Sequence, residues 1–513
     1  MNESFIWVGL ANVFQPYNFL AILAGTLIGV VIGAMPGLSA TMAIALLLPL
    51  TFTMEPATGI SMLASLYLAA MYGGSVAAIL LRTPGTPAAA ATVIDGYPMA
   101  QRGEASRALG LSLTASLIGG VISAIVLLTI APLLGRIVLN FGPVEIAAIA
   151  VLGITIIGSL SQGSTALGLL AGALGLLLGT VGMDPTTGTP RFAFDNLNLF
   201  GGVPFTVALI GLFSIPQAIR LMLRPAEQGA ERISKLGDRM LPTWRQFREL
   251  LPNSLRSSVI GVLTGLIPGT GGDTASWFAY NEARRFSRNK AEFGHGAPAG
   301  VVAPEAANNA VVGGALVPTI ALGIPGSSAT AVLMGGLMVH GILPGPTLMS
   351  DYGDVTYTLL WAVLFANVAL FIVGLMFTRV CVAVTRIPNR VVGPVIVVMS
   401  VIGAFAINNS MFDVWLMFVF GLLGYIFDEV GIPTPPLVIG LILGPVLDSS
   451  LQQSLLIGQG SWLIFLQSPI SAVLLIMALL SLLQSTPLFP ALFRRFRKAR
   501  PEGTPGELPG SRE

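Results

Sequence analysis

Four Pro-Gly pairs stand inside otherwise apolar stretches of the chain, each flanked by small hydroxyl side chains. Pro36-Gly37 is followed by Ser39 and Thr41, and Pro84-Gly85 sits between Thr83 and Thr86. Pro268-Gly269 precedes Thr270, Gly271 and Thr274, and Pro325-Gly326 precedes Ser327, Ser328 and Thr330. Proline removes a backbone donor and clashes with the preceding turn, so each pair breaks a helix. A half-helix that starts after a break presents free N–H groups and partial positive charge, which suits an anion. One that ends before a break presents carbonyls, which suit a cation. Hydroxyl oxygens can coordinate either kind of ligand without bringing a desolvated charge of their own.

Ionisable and amide residues stand near the same points. Asp273 lies four residues after Gly269, where its carboxylate either caps the first turn of the following half-helix or binds a coupling ion. In APEAANNAVVGG, Glu305, Asn308 and Asn309 fall at i, i+3 and i+4 and share a helix face. Asn308 and Asn309, uncharged oxygen ligands, are favoured over Glu305 for the site. The candidate substrate contacts are therefore Ser39, Thr41, Thr83, Gly85, Thr86, Thr270, Gly271, Asn308, Asn309, Ser327 and Ser328. The candidate ion contacts are Pro36, Gly37, Pro268, Gly269, Asp273, Thr274, Gly326 and Thr330. Taken singly, each small residue also fits close helix packing. Recurrence of hydroxyl-flanked breaks is what points to a binding centre. Arg82 reads either as an interface side chain or as a partner for an anion.

The elements that position these residues must sit in lipid. Of 513 residues, 54% are hydrophobic and 10% charged, and the mean hydropathy is +0.82. A soluble domain cannot hide that much apolar surface. Continuous apolar runs, rather than alternating ones, predict an all-α polytopic membrane protein with about ten to twelve transmembrane segments. One cysteine rules out a disulfide framework, and with only two histidines a His/Cys metal cluster is not expected. The N-terminus has no basic residue before its apolar run and no clear cleavage site, so a cleaved signal peptide is not expected.

The chain also repeats itself. GAMPGLSAT at 33–41 returns as GLIPGTGGD at 265–273, and YGGSVAAILLRTPGTP from Tyr72 is answered by VGGALVPTIALGIPGS from Val312. A fainter match sets 183–190 against 428–435, in the same order. We divide the chain into a first membrane repeat at 1–223, a cytoplasmic linker at 224–256, a second repeat at 257–490 and a cytoplasmic tail at 491–513. The linker and the tail are strongly basic, and the positive-inside rule puts both in the cytoplasm. Arg284, Arg285, Arg288 and Lys290 put the far flank of 257–280 on the linker's side, so that segment is a re-entrant hairpin bent at Pro268-Gly269. Its counterpart at 19–53 has flanks without Lys or Arg, which puts them outside. Two repeats of opposite topology follow, with re-entrant hairpins and broken helices, the N-terminus outside and the C-terminus in the cytoplasm. Irregular backbone at membrane depth survives only inside protein or along a polar cavity. Paired breaks in inverted halves therefore predict a transporter's central site.

The segments GAMPGLSATMAIALLLPLTF, YGGSVAAILLRTPGTPAAAATVIDGYPMA, GLIPGTGGDTASWFAYNEARRFSRN and APEAANNAVVGGALVPTIALGIPGSSATAVLMGGLMVHG resemble the large membrane subunit of tripartite tricarboxylate transporters, the TctA family. The resemblance runs from about residue 15 to 490. It implies a subunit of the bacterial cytoplasmic (inner) membrane, working with a small membrane subunit of about four helices and a periplasmic solute-binding protein. It further implies uptake of carboxylates such as citrate, driven by an ion gradient. Sodium is the expected coupling ion, with the proton as the other candidate, and no cofactor is expected. A higher oligomer is open.

Mechanistically, the hairpins and broken segments are expected to form a mobile core that exposes its site alternately to the two sides. The rival readings are a transporter or channel that works without a binding protein. An enzyme is not expected, since the chain has no HExxH motif, no Gly-x-Gly-Asp spacing at the GTGGD stretch and no P-loop. The basic linker follows the topology rule and is not a nucleic-acid patch.

Overall fold

The computed structural model describes residues 4–35, 37–139, 141–160, 164–184, 187–223, 240–345, 347–384 and 389–484, with the side chains of 157–160, 378–384, 389–390 and 483–484 left aside. Pro36, most of the linker's first half and the tail lie outside the described residues. The chain is a polytopic, all-α membrane protein. Among the described residues, eight helices are long and apolar enough to cross a bilayer, and six shorter apolar helices accompany them. A two-residue β-hairpin, Gly182–Met183 with Pro190–Arg191, is the strand structure among the described residues.

The first half runs through α1 (Ser4–Val13), α2 (Pro16–Gly33), α3 (Ala40–Leu47), α4 (Pro56–Leu81), α5 (Ala90–Met99), α6 (Ala105–Val138), α7 (Pro143–Leu160), α8 (Thr165–Gly179) and α9 (Phe205–Leu223). The second runs through α10 (Trp244–Leu266), α11 (Gly271–Phe286), α12 (Pro298–Leu322), α13 (Ser328–Val339), α14 (Leu348–Asp351), α15 (Gly353–Val384), α16 (Asn389–Asn408), α17 (Met411–Val430) and α18 (Thr434–Ile457). Two further helices, α19 (Ile464–Gln467) and α20 (Pro469–Gln484), follow. Proline at the first turn starts α2, α4 and α12, where its missing N–H costs nothing. Helix α10 starts inside the polar 224–256 segment because Thr243 and Gln246 form a reciprocal capping box. It is therefore longer, at 23 residues, than half of a re-entrant segment needs to be.

The packing repeats as the sequence does. Helix α4 packs on α2 and α15; its counterpart α12 packs on α10 and α6. Helix α9 packs on α16 and α17, and α18 on α7 and α8. Exchanging the halves maps each set of neighbours onto the other.

The contacts also give the relative direction of the halves. A methyl group added at Gly25, Gly29 or Gly33 would meet Met62, Leu66 or Ala70, so α2 and α4 run parallel. Gly261 and Gly265 meet Ala307 and Val311, so α10 and α12 do likewise. Between α4 and α12, however, Ser75 bonds Glu305 and Met71 bonds Asn308, an antiparallel register. Helices α6 and α15 are also antiparallel, with Gly120 on Asn367 and Leu113 on Gly374. Corresponding helices thus run in opposite senses, and the two halves form an inverted pair. Glycines at these crossings let backbones touch, which drives helix association where lipid offers no hydrophobic contrast.

Candidate functional site

All four breaks are present. Gly37 and Gly269 sit at matching bends between α2 and α3 and between α10 and α11, with φ of 89° and 82°. Side chains avoid that left-handed region, so the turn selects glycine. Helix α4 ends at Arg82 in a left-handed conformation, and α12 ends at Gly323 in the same way. Beyond them the Pro-Gly turns fold back against their own halves. The Gly85 N–H donates to Gly74 O at 3.1 Å, and Gly326 N–H to the Thr319 hydroxyl at 3.2 Å. In the second half the two breaks join directly, Gly269 N–H donating to Gly326 O at 2.9 Å.

Two clusters of polar groups form where half-helices begin. In the first, the tips of α3 and α13 meet across the halves, with Thr41 Oγ1 and Ser328 Oγ 2.9 Å apart. The Tyr67 hydroxyl of α4 lies 3.2 Å from Ser327 Oγ. In the second cluster, the first turn of α11 packs beneath α12 and the 3-10 turn Pro87–Ala89. A Cβ on Gly272 would stand 2.7 Å from Asn308 Oδ1 and 3.2 Å from the Ala88 methyl. Asn308 Nδ2 donates to Met71 O at 3.4 Å, while its buried Oδ1 and the buried Thr86 hydroxyl have no hydrogen-bond partner. Such orphaned atoms are rare inside proteins and mark places where a ligand can be accommodated.

Several candidates have local work to do. Ser39 caps α3 by accepting from Met42 N–H at 3.2 Å. Ser327 and Thr330 form a reciprocal capping box at α13. Thr270 donates to the carbonyls of Thr264 and Ile267, closing the open end of α10. Thr83 donates to Leu81 O at 3.3 Å. Asp273 lies in the first turn of α11 with its carboxylate folded over Gly271, whose φ is 67°. Thr274 and Pro268 are half-buried beside it. Gly37 O accepts from the Gln217 amide of α9, which ties the first bend to the rest of its half. The candidate Pro36 lies outside the described residues. Arg82 is exposed and stacks over the Tyr97 ring at 5.8 Å.

Two buried carboxylates have surroundings that spacing along the chain does not give. Glu305, fully buried, accepts from Ser75 at 2.5 Å and from Thr92 on one oxygen, and from Ser112 at 2.9 Å and Ser116 at 3.4 Å on the other. Asn309 Nδ2 donates to the same Ser116 hydroxyl at 2.8 Å. A carboxylate in an apolar run was the only available signal, because its partners lie 189 to 230 residues away. Asp95 was not anticipated either. It accepts from the N–H groups of Gly294, Gly296 and Ala297 at 2.8–2.9 Å and from the Tyr280 hydroxyl at 2.9 Å, clamping α5 to the α11–α12 connection.

The corresponding hairpins are not packed alike. Helix α3 is buried against α9, α13 and α16. Helix α11 packs on α5, α10 and α12, with no comparable packing on α7 or α18 among the described residues, and leaves Trp277 and Phe278 exposed at 42% and 56%. A groove of about 700 Å³ runs along its outer side between Arg256, Phe278 and Arg285, and no break residue lines it.

Comparison with known proteins agrees with this architecture. The tripartite tricarboxylate transporter TctA family matches residues 19–439. The chain is 35% identical over 479 residues to an Agrobacterium vitis protein described as an uncharacterized 52.8 kDa protein in the TAR-I ttuC' 3' region, covering 92% of this chain and 94% of the relative. It is 37% identical over 215 residues to a second A. vitis protein, described as lying in the TAR-II ttuC' 3' region, covering 42% of this chain and 89% of that relative. No solved structure matches. With inverted halves, paired breaks and a match over most of its length, the chain belongs to the tripartite tricarboxylate transporter TctA family.

Proposed function

We propose that the protein is the large membrane subunit of an ion-coupled importer of carboxylates, working with a periplasmic binding protein and a small membrane subunit in the bacterial inner membrane. The observation that carries the reading is the meeting of α3 and α13, two helix starts from opposite halves, at Thr41 and Ser328. Both helix starts bring partial positive charge towards one point, where the hydroxyls of Thr41, Ser328, Ser327 and Tyr67 gather. A carboxylate is the natural occupant. Carbonyls at the ends of α2 and α10 suit the accompanying cation, sodium in this reading.

Unequal packing of the two hairpins supports alternating access. With the halves related by inversion, a state in which α3 is seated against α9 and α16 while α11 stands free of α18 has a mirror state in which the seats are exchanged. Movement between them carries a central site from one side to the other. In this reading the basic 224–256 segment and the 491–513 tail face the cytoplasm, and the repeats are 1–223 and 257–490.

Uptake of radiolabelled di- and tricarboxylates into proteoliposomes holding both membrane subunits, with the binding protein outside, tests the proposal. Accumulation should need an inward sodium gradient, saturate with substrate and fall in Thr41→Ala and Ser328→Ala. Flux that never exceeds equilibrium would mean a channel. Full uptake without the binding protein would mean a stand-alone transporter.

A further inference from the structure

Glu305 lies one helical turn from Asn308 yet belongs to a separate polar pocket. It shows no exposed surface, and no Lys, Arg or His is among its ion-pair or hydrogen-bond partners in the described residues. Four hydroxyls from three helices converge on its two oxygens: Ser75 of α4, Thr92 of α5, and Ser112 and Ser116 of α6. Two hydroxyls per oxygen fill the acceptor capacity of an ionised carboxylate, and a protonated one would lose part of it. An ionised group buried this completely needs a compensating charge. A second observation points to what supplies it. The Asn309 amide is bonded to Ser116 of the cluster, and its oxygen is fully buried with no hydrogen-bond partner.

The geometry points to a sodium site built from Glu305, Asn309 and the hydroxyls of Ser75, Thr92, Ser112 and Ser116. The donor set is all oxygen, the preference of hard cations. It holds one negative charge, so a monovalent ion leaves the pocket neutral and a divalent ion leaves it charged. Each hydroxyl donates to the carboxylate when that stands alone, and can turn a lone pair to a cation by rotating about one bond. No cluster of three His, Cys, Asp or Glu exists among the described residues, so a transition metal finds no comparable seat.

The site joins α12 of the second half to α4, α5 and α6 of the first. Its occupancy would set the position of α12, and with it Asn308 above the α11 start. The cation would thereby be linked to the substrate centre without touching it. The purpose given to this ion rests on the transport reading above, but its binding can be measured without any carboxylate or partner protein. Failure here leaves carboxylate import standing, and failure of uptake leaves the sodium site standing.

The test is equilibrium binding of ²²Na⁺ to the purified full chain in detergent at pH 8, with potassium as the replacing ion. Wild type should bind saturably. Glu305→Gln, which keeps the shape and removes the charge, should raise the half-saturating concentration roughly tenfold or more, since it removes the only charged ligand. Ser112→Ala should weaken binding by a smaller factor and decides the matter if the glutamine variant does not fold. Glu249→Gln, which alters an exposed carboxylate paired with Arg245 on the outside of α10, should bind like wild type. Unchanged binding in Glu305→Gln or Ser112→Ala would overturn the assignment. So would a wild type that binds no sodium while its thermal stability responds to pH in a way lost in Glu305→Gln, the signature of a proton site.

Discussion

Substituting Gly85 by alanine probes the site's construction at its tightest point. A methyl group there would stand 2.1 Å from the carbonyl oxygen of Gly33 and 2.8 Å from the Gly74 Cα. Both obstacles are backbone, so no side chain can rotate away. Restoring a tolerable contact means moving the break off α2 by roughly 0.9 Å, and overpacking of this kind typically costs about 1–3 kcal/mol. With helix backbone on two sides, the upper end of that range applies. The shift would also lengthen the Gly85 N–H bond to Gly74 O, now 3.1 Å. The assay is thermal unfolding of purified protein by size-exclusion fluorescence, run beside Gly201→Ala, where an added methyl meets nothing within 4 Å. Gly85→Ala should unfold several degrees lower, whereas Gly201→Ala should stay within about 0.5 kcal/mol of wild type. Wild-type stability in Gly85→Ala would refute the seating of the Pro84-Gly85 break against α2 and α4.

Gly269→Ala forces a side chain into φ 82° and should cost about 1–2 kcal/mol, read as a lower unfolding midpoint. Asn308→Ala should leave the protein in the membrane and reduce carboxylate uptake about tenfold, equivalent to about 1.4 kcal/mol of lost stabilisation. Asp95→Asn removes the charge that holds three backbone N–H groups and the Tyr280 hydroxyl, and should destabilise by about 2–3 kcal/mol, visible as faster proteolysis of the α11–α12 connection. Asp448→Asn breaks the pairing with Arg191 near the β-hairpin; because both side chains are partly exposed, the loss should be about 1 kcal/mol or less and shrink further in high salt.

The breaks were legible because Pro-Gly within an apolar run has few meanings in lipid, and Gly37 and Gly269 adopt the left-handed turns that such pairs imply. The inversion was legible because the flanks of the GLIPG segment are basic while those of the GAMPG segment carry no Lys or Arg, and the antiparallel register of Met71 on Asn308 agrees. Less could be read about what each hydroxyl does. Ser39, Ser327 and Thr330 serve helix starts, and Thr270 closes a helix end, because unsatisfied backbone groups at the breaks claim the nearest side chains first. Asn308 keeps an unpartnered oxygen beside Gly272, a pairing of α12 with α11 that spacing along the chain does not encode. The Glu305 pocket is likewise a property of packing, since Ser75, Thr92 and Ser112 look like ordinary small residues of three separate helices. Unequal seating of α3 and α11 could not be read at all, because two similar sequences specify both arrangements and only the whole assembly chooses between them.

The central claim is that helix breaks from two oppositely running halves meet at one polar point. Cross-linking of Thr41→Cys with Ser328→Cys, in a background where the single native Cys381 is serine, measures it most directly. The two hydroxyl oxygens are 2.9 Å apart across 287 residues, so a disulfide should form under mild oxidation and appear as one cross-linked peptide pair by mass spectrometry. A pair that stays reduced in folded protein, while Thr41→Cys joins some other engineered position instead, would contradict the account.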